Sequence, residues 1–222
     1  MVYILNIETS TRNCSVSISK DGEIIACQEI AEAGFSHAEK LHVFFEDVLK
    51  ACHINFNNLS AVAVSQGPGS YTGLRIGISA AKGLCYSLNI PLIALDTMEI
   101  LAKKLSVKNG LIIPMIDARR MECYTAIFDL DYQKIRPVLA EIIDENSYQD
   151  IQDTIHLIGD GATKCKAILS HEKFVFHDDI LFPSANEMGL SAFDKYKKND
   201  TVDVAYFEPF YLKDFMMSVS KK

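Results

Sequence analysis

The sequence predicts an α/β protein built from two stacked lobes. A hairpin meander followed by alternating helices and strands fills the first half of the chain, and a weaker version of the same order starts again after Ser106. Such a repeat is typical of two related α/β units packed together. Residues 106–110 are polar and end in glycine, so we place the boundary there. The N-terminal lobe is then residues 1–106 and the C-terminal lobe residues 107–222.

In the N-terminal lobe, apolar or alternating runs predict the strands, and apolar stripes predict the helices. Residues 15–19 alternate serine with valine and isoleucine, and the Asp21-Gly22 pair that follows indicates a hairpin turn. Ser36 and Glu39 form a capping box at the start of a helix. The predicted strands cover 2–7, 15–19, 23–30, 61–64 and 91–95, and the predicted helices cover 37–52, 73–88 and 97–104.

The C-terminal lobe shows the same kinds of pattern less clearly. Ser184 and Glu187 form a second capping box ahead of a predicted helix. Residues 204–212 are predicted to be extended, and Pro209 limits them to an edge or a strand end. The predicted strands cover 111–116, 122–128, 134–143 and 155–158, and the predicted helices cover 146–150, 162–169 and 184–198.

Composition and charge exclude several classes of protein. The chain is 49% hydrophobic and 23% charged, as in ordinary globular proteins. Its net charge of −7 argues against this subunit binding nucleic acid alone. No run approaches the roughly 18 apolar residues of a membrane span, and the start has no basic signal-peptide region, so we expect a cytoplasmic protein. Six scattered cysteines without a C-x-x-C pair favour reduced thiols and argue against zinc.

A glycine-rich stretch, SQGPGSYTGLRIGISAAKGL over residues 65–84, joins a predicted strand to a predicted helix. Loops of this kind can hold phosphate with backbone N–H groups at a helix N-terminus. A Walker A loop, however, has Lys-Ser or Lys-Thr after its last glycine, whereas Leu74-Arg75 follows Gly73. The G-x-G-x-x-G pattern also fails, because Gly73 comes four residues after Gly69. We therefore favour a structural or interface role over phosphate binding.

The first strand ends in Glu8, Thr9 and Ser10. A carboxylate and two hydroxyls at a strand end could hold a magnesium–phosphate group. The same residues also make an ordinary polar strand end, and this second interpretation is the more common one.

The other candidates for chemistry are weaker. Asp117 and Arg119 follow the first strand of the second lobe, where Arg119 could bind a carboxylate or phosphate in bidentate fashion. Asp117 or Glu122 could equally pair with Arg119 internally. His37 and His42 are five residues apart, which does not give the i, i+4 spacing of zinc helices, so ordinary histidines are favoured. No G-x-S-x-G motif supports a hydrolase.

The glycine block GPGSYTGLRIG of residues 67–77 resembles the signature of the TsaB (YeaZ) family. AKG at 81–83, PLIAL at 91–95, LNIETS at 5–10 and IDAR at 116–119 resemble other landmarks of that family. The resemblance is close over residues 2–128 and looser beyond them. Arg120-Met121 departs from the family pattern, in which a small residue or glycine commonly precedes the glutamate.

The resemblance implies two ribonuclease-H-like lobes of the actin, sugar-kinase and Hsp70 class. It also implies membership of the complex that makes threonylcarbamoyladenosine beside the anticodon of tRNA. In that complex TsaD holds the metal and transfers the threonylcarbamoyl group, while TsaE supplies an ATPase. The resemblance assigns this chain the non-catalytic role of scaffolding TsaD, with tRNA reached only through the complex.

The residues agree with a chain that has no catalytic residue, cofactor or metal. The first hairpin lacks the glycine that a phosphate loop of this fold class needs, and Arg12 stands where phosphate would lie. Two alternatives from other classes remain open. One is an ATP-dependent small-molecule kinase or ATPase of the same fold, and the other is a peptidase, for which no nucleophile–base pair is recognisable.

The helix over 73–88 is apolar or small around about 220° of its circumference, more than a surface helix needs. We therefore expect it to bind TsaD or, without TsaD, a second copy of this chain. The alternative is that the neighbouring helix alone fills its groove. The predicted interface residues are Gly73, Leu74, Gly77, Ile78, Ala81, Leu84, Cys85, Leu41, Phe45 and Leu49. The possible vestigial nucleotide cleft comprises Glu8, Thr9, Ser10, Asp117 and Arg119.

Overall fold

The computed structural model describes residues 1–31 and 37–213. Two five-stranded sheets carry the fold, with helices on their faces. The strands are β1 Tyr3–Glu8, β2 Cys14–Lys20, β3 Glu23–Ile30, β4 Ala61–Ser65, β5 Leu92–Leu95, β6 Leu111–Asp117, β7 Glu122–Phe128, β8 Lys134–Ile142, β9 Ile155–Ile158 and β10 Phe174–Phe176. The helices are α1 His37–Ala51, α2 Tyr71–Leu88, α3 Thr97–Ala102, α4 Asp160–Cys165 and α5 Gly189–Lys197.

Both sheets have the same topology. The first runs β3-β2-β1-β4-β5 and the second β8-β7-β6-β9-β10. In each sheet the first three strands form an antiparallel meander, and the last two lie parallel to the first strand. The repeated order predicted from the sequence is therefore confirmed.

Helices cover both faces of the first sheet, which explains why β1 and β4 are buried almost throughout. Successive side chains of a strand point to opposite faces. Leu5 and Val62 accordingly pack with α1 and α2, whereas Ile4 and Ala63 pack on the side of α5. A strand that is buried on both faces has a continuous apolar sequence, and the AVAV sequence of β4 is an example.

Helix α3 lies between the two sheets and joins their cores. Ile100 packs with the first sheet, while Met98 and Leu101 pack with the second. The side chain of Asp96 caps the helix by accepting hydrogen bonds from the N–H groups of Met98 and Glu99 at 2.7 and 3.3 Å. This six-residue helix therefore supplies apolar contacts to both lobes.

Residues 183–197 pack on the first sheet. A division of the chain into two continuous segments at residue 106 does not predict this packing. Asn13 Nδ2 donates to the Pro183 carbonyl oxygen at 3.0 Å, and Ser17 Oγ donates to the Ala185 carbonyl oxygen at 2.8 Å. Helix α5 then packs on β1 and β5. The boundary near residue 106 stays a proposal for the rest of the chain.

Three helix predictions in the second half are wrong in extent or kind. Residues 145–150 form turns, because the Asp144 and Ser147 side chains bond to nearby backbone and Tyr148 has φ +64°. Helix α4 ends at Cys165 instead of residue 169. The helix predicted over 184–198 is a 3₁₀ turn, Ala185–Glu187, followed by α5. The capping box at Ser36 lies outside the described residues.

The C-terminal residues 202–213, here called the strap, are not the predicted extended strand. A single bridge joins Val202 to Leu92, and the chain then crosses α2. Lys82 Nζ donates to the Ala205 carbonyl oxygen at 2.9 Å, and Arg75 Nε donates to Tyr211 Oη at 3.0 Å. After that bridge, side chains of α2 therefore help to hold the strap. The short strand β10 was also missed.

Candidate functional site

The glycine-rich loop lies directly on the loop after β1. Ser70 N donates to the Ser10 carbonyl oxygen at 2.6 Å, and Gly67 N donates to Thr97 Oγ1 at 3.0 Å. Ser70 Oγ accepts from Gly73 N at 3.3 Å and so caps α2. The N–H groups of Gly67, Ser70 and Gly73 are therefore engaged within the chain.

Two glycines of α2 let the helix approach the end of β1. A Cβ atom on Gly73 would lie 2.1 Å from the Thr9 carbonyl oxygen, and one on Gly77 would lie 2.2 Å from Thr9 Oγ1. Both distances are far inside van der Waals contact, so only glycine fits without a shift of the structure. The small-residue groove expected to receive a partner faces the chain's own interior at these two positions.

Most of the other predicted interface residues are also in the core. Because the first sheet and α1 cover more of the circumference of α2 than expected, its large apolar residues pack internally. These side chains therefore pack within the chain, and among them Leu84 alone stays half-buried. The buried members are Leu74, Ile78, Ala81 and Cys85 on α2, and Leu41, Phe45 and Leu49 on α1.

A different face remains open along α1 and α2. We call it the α1–α2 face; Ser79 and Gly83 are exposed on it, and a Cβ atom on Gly83 would meet no described heavy atom within 4 Å. Its half-buried apolar side chains pack against the core on one side and are exposed to solvent on the other. Residues His42, Ile76, Ser79, Ala80, Gly83 and Leu84 line it as a shallow groove.

The same two helices also carry exposed apolar side chains. Val43 on α1 is 51% exposed, and Tyr86 on α2 is 85% exposed. Scattered exposed apolar residues are normal, but a groove of half-buried ones flanked by a large aromatic is typical of protein interfaces. The sequence signal for this face was Gly83, a glycine inside a helix where no close approach requires it.

The cluster at the end of β1 is deeply buried. Glu8 Oε1 accepts from Ser10 N at 2.6 Å. Among the described residues, Glu8 Oε2, Ser10 Oγ and Ser65 Oγ are buried without a hydrogen-bond partner. Burial raises the pKa of Glu8 to about 7, against the opposing effect of the hydrogen bond from the Ser10 N–H group.

The space that a phosphate would need at this cluster is filled by the chain. The Ser10 carbonyl oxygen accepts from Ser70 N, and a Cβ atom on Gly69 would lie 2.3 Å from that oxygen. The packed backbone of the two loops leaves no space for the phosphate of a nucleotide such as this fold class binds. The residues present do not fit a bound phosphate here.

The two histidines of α1, expected from the sequence to be ordinary histidines, have different surroundings. His37 is buried with Nε2 2.7 Å from the Thr11 carbonyl oxygen, whereas His42 lies on the open α1–α2 face. Over residues 1–31 and 37–213, the structure shows no group of three or more His, Cys, Asp or Glu side chains that could hold a metal ion.

In the second lobe, Asp117 pairs with a lysine and leaves Arg119 exposed. Lys164 Nζ donates to Asp117 Oδ1 at 2.5 Å and to the Glu122 carbonyl oxygen at 2.6 Å. The Glu122 carboxylate pairs with Lys213 of the strap. Neither acidic side chain therefore forms the ion pair with Arg119 that the sequence left open as an alternative.

The turn before Glu122 is unusual. Arg119 and Arg120 have φ of +70° and +54°, a region that favours glycine. Two successive arginines, of which Arg120 departs from the family pattern, therefore adopt a conformation that costs about 1 kcal/mol or more for each.

The loops of the two lobes lie close enough for electrostatic interaction. Burial raises the pKa of Asp160, and the charge of Arg12 opposes that rise across the lobes. Asp160 Oδ1 accepts from Asp117 N at 2.9 Å. The predicted cleft residues thus lie in two separate networks, one around Glu8 and one around Asp117.

Comparison with known sequences gives a consistent set of relatives. Residues 30–217 match a family model described as TsaD: tRNA N6-adenosine threonylcarbamoyltransferase. The tRNA threonylcarbamoyladenosine biosynthesis protein TsaB of Escherichia coli (strain K12) is 30% identical over 220 residues, which cover 95% of this chain and 94% of that one. TsaB of Bacillus subtilis (strain 168) is 36% identical over 125 residues, 56% of this chain and 54% of that one.

The transferase itself is a more distant relative. The tRNA N6-adenosine threonylcarbamoyltransferase of Geobacillus thermodenitrificans (strain NG80-2) is 31% identical over 107 residues, 41% of this chain and 31% of that one.

Solved structures with this fold confirm the predicted class. YeaZ from Pseudomonas aeruginosa superposes with a TM-score of 0.83 at 22% identity and covers 96% of this chain and 100% of that one. The ethanolamine utilization protein EutJ from Carboxydothermus hydrogenoformans superposes with a TM-score of 0.54 at 10% identity, covering 87% and 90%. The chain therefore has the two-lobed fold of the actin, sugar-kinase and Hsp70 class. Its described helices include none long and apolar enough to cross a membrane.

Proposed function

This chain belongs to the TsaB (YeaZ) family of tRNA threonylcarbamoyladenosine biosynthesis proteins, and from that premise we propose that it is a non-catalytic subunit. In this proposal it binds a TsaD-type transferase through the α1–α2 face and works together with TsaE. The observation that carries the proposal is an open apolar face on α1 and α2 beside a loop that has no room for phosphate.

The relationship to the transferase supports the choice of partner. Most of this chain matches the transferase family model, so a TsaD-type subunit should carry two helices equivalent to α1 and α2. Two related helix pairs can pack face to face about an approximate two-fold axis. Ser79, Ala80 and Gly83 are small, so a partner helix could approach α2 closely at these positions.

The buried cluster supports a non-catalytic role. A kinase or ATPase of this fold would use the loop after β1 to hold phosphate, but Ser10 and Ser70 are bonded to each other there. Glu8 has a pKa near neutrality and lies behind that contact, so it is poorly suited to hold a magnesium ion. No observation favours the kinase or the peptidase alternative.

The proposal also says how the chain behaves without TsaD and where in the cell it acts. Without TsaD, the α1–α2 face should pair with its counterpart on a second copy, because an isologous contact needs only one self-complementary patch. We propose that the chain reaches tRNA only through the complex and acts in the cytoplasm, where tRNA is modified.

Co-purification tests the proposal directly. The untagged chain is co-expressed with a tagged TsaD of the same organism, and the complex is isolated at moderate salt. We expect the chain to elute with TsaD in equal amounts. A chain that stays in the flow-through, while the isolated protein is folded by circular dichroism, would overturn the proposal.

A further inference from the structure

Two cysteines of the second lobe lie side by side. Cys123 is on β7 and Cys165 is the last residue of α4, and their Sγ atoms are 3.9 Å apart. Both side chains are buried, at 0% and 1% exposure. Both Sγ atoms also point to the Gly161 carbonyl oxygen, at 3.6 and 3.3 Å. None of these contacts belongs to the α1–α2 face or to the cluster at Glu8.

We propose that Cys123 and Cys165 are a site of reversible disulfide formation within the second lobe. A disulfide has an S–S distance of about 2.05 Å, so the sulfurs must approach by about 1.9 Å. Rotation of the two side chains and a small shift of the end of α4 supply that movement. Helix α4 has only six residues and ends at Cys165, so its last turn can adjust without disturbing a long helix.

The surroundings favour Cys165 as the attacking sulfur. The hydrogen-bond contact with the Cys123 sulfur lowers the pKa of Cys165, and nearby Lys164 acts in the same direction. The same hydrogen bond and burial raise the pKa of Cys123. By contrast, burial raises the pKa of Cys14 to about 11 and that of Cys85 to about 12. These two equally buried thiols are matched controls.

The oxidant in this proposal is hydrogen peroxide. The Cys165 thiolate attacks one peroxide oxygen, the O–O bond breaks, and the released hydroxide becomes water by taking up a proton. Cys165 is then a sulfenic acid. The Cys123 sulfur attacks it, the S–S bond forms, the S–O bond breaks, and the Cys123 proton leaves with the hydroxide as water. Two thiols lose two electrons, and one peroxide becomes two waters.

The disulfide would lie next to the contacts that hold the β6–β7 turn. Lys164 precedes Cys165 and donates to the Arg120 and Glu122 carbonyl oxygens at 3.1 and 2.6 Å. A covalent link between β7 and α4 would therefore hold this turn more firmly. It would also constrain the unfolded chain. We expect the oxidised protein to melt at a temperature several degrees higher, and dithiothreitol to reverse the change.

The test is peroxide treatment of the full chain, followed by unfolding, alkylation of free thiols and mass spectrometry of the peptides. We expect a peptide pair linked through Cys123 and Cys165 that lacks two hydrogen atoms. Free thiol at these positions should disappear at least about tenfold faster than at Cys14 or Cys85. In a Cys123→Ser variant, Cys165 should instead be oxidised to sulfenic or sulfinic acid.

Two results would overturn the proposal. One is that Cys123 and Cys165 stay reduced for as long as Cys14 and Cys85 do. The other is that the linked peptides involve Cys27 or Cys52, which are half-buried, instead of this pair. Circular dichroism before treatment ensures that the thiols tested are those of the folded chain.

Discussion

Thr9 Oγ1 donates a hydrogen bond to the Gly73 carbonyl oxygen at 2.8 Å, and the same Oγ1 lies 2.2 Å from where a Cβ atom on Gly77 would stand. One side chain thus both bonds to α2 and excludes any larger residue at Gly77. Gly73 and Gly77 are therefore needed for the packing of α2 on the end of β1.

The first prediction compares two glycines of α2. Gly77→Ala should destabilise the free chain by about 1–3 kcal/mol, because the new methyl group displaces Thr9 and weakens its hydrogen bond. Gly83→Ala should leave stability unchanged or raise it by up to about 1 kcal/mol, since the position is open and alanine favours helix. The thermal midpoints of both variants measure this difference. Equal midpoints would show that Gly77 has room for a side chain.

The second prediction concerns the dependence of stability on pH. The folded-state pKa of Glu8 is about 7, above the ordinary 4.5, so the unfolded state releases this proton first. The contribution of Glu8 to stability therefore falls as pH rises from about 4.5 to about 7 and is constant above that range. Glu8→Gln removes this pH-dependent loss of stability. The free energy of unfolding of the variant, relative to that of the unaltered chain, should therefore rise by up to about 3 kcal/mol across that window.

Urea denaturation of both proteins at several pH values between 4.5 and 8 measures the difference. The other titrating groups are common to the two chains and cancel. A stability difference that does not vary with pH would show that Glu8 ionises normally in the folded protein.

The third prediction tests the contact that holds residues 183–197 on the first sheet. Ser184 is buried, donates to Glu29 Oε2 at 2.5 Å and accepts from Asn186 N at 3.1 Å. Ser184→Ala should therefore lower the free energy of unfolding by about 1–3 kcal/mol. Ser170→Ala, at an exposed position, is the control and should have little effect. If both variants melt alike, the contact contributes nothing to stability.

The fourth prediction is that the purified chain alone hydrolyses no ATP. The loop that would hold phosphate is closed by the Ser10–Ser70 hydrogen bond. Phosphate release measured after repeated chromatography should equal that of a Glu8→Ala variant at background level. Turnover that survives purification and disappears in Glu8→Ala would contradict this prediction.

The sequence predicted the fold well where its signals are local. Asp21-Gly22 gave the hairpin between β2 and β3, and both residues have positive φ, as such a turn requires. The AVAV run gave a strand buried on both faces. The return of residues 183–197 to the first sheet was missed, because it depends on contacts such as Asn13 with Pro183 across 170 residues.

The candidate site was predicted only in part. A helical wheel showed correctly that α2 is apolar over a wide arc, but it cannot tell which neighbour covers each side. Gly77 faces Thr9, so small residues that suggested a docking groove lie inside the chain. Glu8 was expected at a strand end and is there. The hydrogen bond between Ser10 and Ser70 joins residues 60 positions apart in the sequence, and no local pattern indicates it.

The affinity of TsaD for two serine-to-arginine variants tests the central claim most directly. Ser79 lies on the α1–α2 face and Ser170 in the second lobe; both are exposed, and arginine favours helix at Ser79. We expect Ser79→Arg to weaken binding at least about tenfold, or about 1.4 kcal/mol, while the free chain keeps its melting temperature. Ser170→Arg should bind TsaD as the unaltered chain does. If Ser79→Arg binds TsaD as tightly as Ser170→Arg, the α1–α2 face is not the surface that holds the transferase.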